Sequence, residues 1–176
     1  MSEPQTSGDP LALPSELKVL HDTMTAALKA GLPEIQHFEA YPILKEGMRL
    51  PALLYAATNF APGVKPGDGR LCVKVTFEAV VLLESRRGLA PLQAAILASK
   101  VMRLLDEQYW DLDFVDQVED VQAMPTEVVP ELARCVGWSL QWRQNVYLGD
   151  TEWLWPDEFG GHLKFTNYPD EQEGAA

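Results

Sequence analysis

Two segments alternate over so many residues that they fix the class of fold. In LCVKVTFEAVVLLES, residues 71–85, Leu71, Val73, Val75, Phe77, Ala79, Val81 and Leu83 fall on one side. Lys74, Thr76 and Glu78 oppose them until Val80 and Leu82 make the end apolar on both sides. In CVGWSLQWRQNVYLGD, residues 135–150, Val136, Trp138, Leu140 and Trp142 face one way and Cys135, Ser139, Gln141 and Arg143 the other. A period of two is that of a β-strand with one buried face. The chain must therefore build a sheet and cover one side of it.

The cover is legible as two helices. Leu17, Leu20, Met24 and Leu28 recur at helical spacing, with Ser15 placed to cap the first turn, Glu16 at its positive end, and Gly31 with Pro33 as the stop. Further on, Pro91 fits a first helical turn, and Leu92, Ile96, Ser99, Met102, Leu105 and Tyr109 run down one face to about residue 109. Residues 35–41 and 50–57 read as two short strands separated by the turn-like Pro42 to Gly47, able to pair as a hairpin, and residues 118–123 as a further strand. The loop NFAPGVKPGDGR, residues 59–70, reads as a long hairpin connection. The order implies an α+β fold: a mainly antiparallel mixed sheet with two amphipathic helices on one face and an extended C-terminal arm. Residues 1–14 read as a mobile N-terminal arm, 15–150 as one domain, and 151–176 as an aromatic and acidic extension.

Charge narrows the function. The net charge of −12 is uneven: residues 1–105 carry 10 acids and 11 bases, residues 106–176 carry 16 acids and 3 bases. Nucleic-acid affinity rests on Lys and Arg displacing counterions, so tight DNA binding is disfavoured. No apolar run is long enough to span a bilayer, and the polar start MSEPQTSGDP lacks the regions of a signal peptide, so the expectation is a cytosolic protein. Cys72 and Cys135 stand alone in separate strands and read as buried, reduced thiols.

Motifs for chemistry are weak. Asp111, Asp113 and Asp116 could gather a hard cation, but an EF-hand needs a ligand where Val115 stands and a glycine after it; a solvated loop is the simpler reading. His21, His37 and His162 are far apart and lack ligand spacing. There is no nucleophile elbow, Walker loop or strand-linked G-x-G-x-x-G. The expectation is a protein without cofactor or metal and without catalytic residues. The C-terminal set Trp153, Trp155, Phe159 and Phe165 exceeds what one small core buries beside Trp138 and Trp142. It is either an interface arm or a segment folded back on its own domain.

Several stretches resemble the tail terminator, or tail completion, proteins of long-tailed phages. These are LPEIQHFEAYP after the first helix, LPALLYAA, a Gly/Pro-rich loop before Phe77-Glu78-Ala79, a long helix ending at Trp110, and the closing WSLQWRQNVYLG with Trp142, Gln144 and Gly149. The resemblance covers about residues 15–150 and implies a structural virion protein. Such a protein forms a homo-hexameric ring on the head-proximal end of the tail tube, stops tube polymerisation and offers a surface for head–tail joining. Its partners would be further copies of itself, the tail tube protein and the head–tail connector protein, with DNA passing through the lumen without tight binding and no membrane contact. It would reside in the host cytoplasm during assembly and then at the head–tail junction of the virion. On this reading Gly63, Lys65, Gly67, Asp68, Gly69 and Arg70 form the tube-contacting loop. Some of Asp106, Glu107, Asp111, Asp113 and Asp116 face the lumen. Gln144, Asn145 and Tyr147 extend the last strand past the core and, with Trp153, Trp155 and Phe159, meet a neighbouring subunit. A head–tail connector or head completion subunit, and a small α+β enzyme, are the alternatives.

Overall fold

The computed structural model describes residues 15–42, 48–126 and 134–152. Within them the chain forms α1 (Glu16–Gly31), β1 (His37–Ala40), β2 (Ala52–Pro62), β3 (Leu71–Glu84), α2 (Ala90–Leu105), β4 (Glu119–Thr126) and β5 (Cys135–Leu148). The strands make one open five-stranded sheet in the order β1-β2-β3-β5-β4. The fold is α+β, as the sequence implies.

The two long alternating segments pair with each other along their whole length, antiparallel, from Leu71 opposite Leu148 to Glu84 opposite Cys135. Their inner residues Val75, Phe77, Ala79, Val81, Leu140, Trp142 and Val146 form the floor of the core, and Leu20, Met24 and Leu28 of α1 cover part of it. Phe77 and Trp142 stack with ring centroids 5.3 Å apart. Trp138 is only half-buried, at the end of the strand where it lies opposite Val81 and Pro125. Pro125 is tolerated because β4 is an edge strand and needs no donor on its outer side. On the other sheet face Ala52, Leu54 and Leu82 pack with Met48, Leu50, Val80 and Cys135. That small cluster is why Val80 and Leu82 break the polar alternation.

Three sequence expectations change. The segments 35–41 and 50–57 do not form a hairpin: β1 and β2 are parallel, His37 opposite Ala52. The amides of Gln36 and His37 both donate to Pro51 O, so both strands begin at the same end and the connection must return the chain. Helix α2 stops at Leu105, and Trp110 follows it in a left-handed conformation with φ 60°. The buried side of α2 is Ala90, Ala94, Leu97, Ala98, Val101 and Leu105, while Leu92 and Ile96 are about half exposed and Tyr109 lies on the surface. Alanines carry little hydrophobic weight in a pattern, yet they let a helix lie close on a sheet already filled by Trp142 and Phe77.

Candidate interaction surface

One end of the molecule brings together three segments that are distant in sequence. Strands β2 and β3 close at Gly63, whose amide donates to Cys72 O at 2.9 Å. A Cβ at Gly63 would lie 2.3 Å from Cys72 Sγ, so the closure requires glycine there. The loop then reaches out: Val64 is 87% exposed, and Lys65 and Gly67 lie on the surface. It returns through a clasp in which the Asp68 carboxylate accepts from Arg70 N at 3.1 Å and Arg70 Nε at 2.8 Å. The Arg70 guanidinium holds the Asp68 carboxyl below the usual range. Gly69, at φ +90°, meets Glu152, whose amide donates to Asp68 O at 2.8 Å.

The clasp continues into β5 and the acidic segment. Arg70 lies over the Tyr147 ring, 4.9 Å from its centroid. Tyr147 OH donates to Asp116 Oδ2 at 2.8 Å, and Asn145 Nδ2 donates to the same oxygen at 3.0 Å. Beneath them Gln144 is fully buried. Its Oε1 accepts from Trp110 Nε1 at 3.0 Å and its Nε2 donates to Asp116 O at 2.8 Å. A buried amide with both its donor and its acceptor engaged tethers the 108–118 segment to the sheet.

The candidate residues therefore separate. Gln144 is not an interface residue: it keeps the inward phase of Leu140, Trp142 and Val146, and the turn at 106–118 closes over it. Strand β5 does not run free past the core either, since its last residues pair with β3 and Val146 bridges Val115. Asn145 and Tyr147 are half-buried and both donate to Asp116, whose carboxylate is thereby occupied within the chain, while Asn145 Oδ1 is buried without a partner. Asp106, Glu107, Asp111 and Asp113 are exposed. Trp153, Trp155 and Phe159 lie outside the described residues. Reading the alternation of β5 through to Val146 would have placed Gln144 inside, so the signal was present.

Tyr147 supplies a pH probe of the clasp. Its hydrogen bond to Asp116, then burial, then the negative charge of that carboxylate push its phenol up to about 12. The neutral phenol is thus favoured by folding. The stability it contributes is complete below the ordinary tyrosine value of about 10 and is lost as pH rises through about 12. Burial also raises Tyr55. In an alkaline titration followed by phenolate absorbance, the difference between wild type and Tyr147→Phe should therefore be a late-ionising phenol. A difference curve centred on the ordinary tyrosine value would show that the bond to Asp116 does not form.

Elsewhere the surface offers less to a small molecule. A groove of about 460 Å³ beside β1 is lined by Lys29, Leu32, Ile35, Gln36, His37 and Phe38. Lys29 already sits over the Phe38 ring and His37 pairs with Glu39. Burial pushes both thiols, Cys72 and Cys135, upward, which keeps them protonated. Among the described residues no group of three His, Cys, Asp or Glu side chains is placed to hold a metal, and no helix is long and apolar enough to cross a membrane. No family model matches the chain, and no curated protein matches its sequence.

Proposed function

We propose that the chain is a structural assembly protein: a ring-forming subunit that caps the head-proximal end of a phage tail tube, stops its growth and presents a surface to the head-side connector. The observation that carries this reading is the clasped hairpin. An eight-residue connection, 63–70, projects from the sheet, and its base is locked by the set Asp68, Arg70, Tyr147, Asp116 and Asn145. A projection held rigid at its root loses little entropy when it docks, which suits repeated contacts between identical subunits and a tube. The resemblance over residues 15–150 gives the identity of the tube and connector as partners. The acidic second half of the chain keeps affinity for passing DNA low. Final residence is then the head–tail junction of the virion.

The tip is the part to remove, because Gly63 and Asp68 to Arg70 belong to the closure and the clasp. Deleting Val64 to Gly67 should leave circular dichroism and melting close to wild type, while tails assembled with the variant lose length control in electron micrographs. Tails of normal length from a folded variant would remove the hairpin from the tube contact.

A further inference from the structure

The two helices begin in opposite ways. Helix α1 is capped by Ser15, whose hydroxyl accepts from Lys18 N at 3.3 Å, and it carries Glu16 in its first turn and Lys29 in its last. These charges match the helix dipole. Helix α2 begins after Leu89, a left-handed residue at φ 58° that offers no side-chain cap, and its first turn holds no acid. Arg86 and Arg87 precede it instead, on the end of the dipole that disfavours cations. Its last turn carries Arg103, as α1 carries Lys29, but beyond it stand Asp106 and Glu107, on the end that disfavours anions. Among the described residues neither arginine has an ion-pair partner.

Apolar exposure follows the same polarity. Leu89, Leu92 and Ile96 are 73%, 54% and 49% exposed and form one stripe at the start of α2. At the other end Tyr109, 47% exposed, stands among the exposed carboxylates Asp106, Glu107, Asp111 and Asp113. That acidic end is held in place by Trp110, which is buried and bonded to Gln144.

We infer that the start of α2, with Arg86, Arg87, Leu89, Leu92 and Ile96, docks on the acidic end of a second copy of this chain, residues 106–113. The occupant follows from charge complementarity: one end of α2 lacks the carboxylates that the other end displays in excess. The two patches are unlike and lie a helix length apart, roughly 24 Å at 1.5 Å per residue. Such a contact is heterologous, so copies join head to tail and close into a ring when the rotation allows. The inference rests on the assembly reading for its choice of a second copy. It also moves Asp106, Glu107, Asp111 and Asp113 from the lumen, where the resemblance would place some of them, into the subunit contact.

Charge reversal tests it in the full-length chain. Arg86→Glu/Arg87→Glu leaves both patches acidic, and Asp111→Lys/Asp113→Lys sets two amines against Asp106 and Glu107, so the far patch loses its acidic excess. By light scattering behind a sizing column, with and without tail tubes, each variant alone should need at least about tenfold higher concentration than wild type to associate. An equimolar mixture should regain association, because alternating copies restore every contact. Circular dichroism verifies that both variants fold. Association of the single variants at the wild-type concentration overturns the proposal, as does a mixture that stays monomeric or a wild type that never associates. Loss of retention on DNA with association unchanged assigns the arginines to phosphate and overturns it too. Variants that still cap tubes as wild type leave the assembly reading standing without this contact. Head-to-tail oligomers that never bind tubes preserve the contact and remove that reading.

Discussion

Gln144→Leu should melt roughly 10 °C below wild type, from a loss of about 3 kcal/mol and the usual few degrees per kcal/mol for a chain of this size. The side chain has no exposure, and it joins Trp110 Nε1 on one side to Asp116 O on the other. Leucine fills similar space, so the loss is not one of volume. It leaves a buried indole N–H and a part-buried carbonyl without their partners, the buried group alone costing about 1–3 kcal/mol. The double substitution Gln144→Leu/Trp110→Phe should therefore recover part of the loss, since removing both members of a buried bond is gentler than removing one. Calorimetry on the four proteins of this cycle decides the matter. A single variant melting within about 2 °C of wild type would mean that the 106–118 turn does not depend on this amide.

Trp142 separates packing from hydrogen bonding in the opposite sense. It is fully buried and stacked on Phe77, yet its Nε1 has no hydrogen-bond partner. Trp142→Ala should cost about 3–5 kcal/mol through the cavity it leaves in the sheet floor. Trp142→Phe keeps a ring against Phe77 and deletes an unpaired donor, so its cost should stay below about 1.5 kcal/mol. Urea unfolding of both variants measures the two values. A loss for Trp142→Phe well above that value would mean that the indole N–H is satisfied in solution.

Strand content was legible because it rests on period two, which survives any detail of packing: β3, β5 and the inward set Val75 to Val81 follow directly from alternation. The first helix was legible for a similar reason, its cap and apolar stripe lying close together in sequence. The phase of α2 was not. Its apolar residues surround the axis, and the choice between the Leu92/Ile96 side and the Ala94/Ala98 side depends on how much room Trp142 leaves above the sheet. The parallel pairing of β1 with β2 was hidden because a local hairpin and a returning connection present the same two short segments. The clasp joining Arg70, Tyr147 and Asp116 was also hidden. It unites residues more than 30 positions apart, and only the pairing of β3 with β5 puts them together.

The most direct test of the assembly reading is the mass of the full-length protein in solution and on tail tubes, by light scattering behind a sizing column and electron microscopy of the tube ends. A ring-sized species is expected, alone or on one end of each tube, with tubes that stop growing once it is bound. A chain that stays monomeric and leaves the tubes bare would contradict that reading.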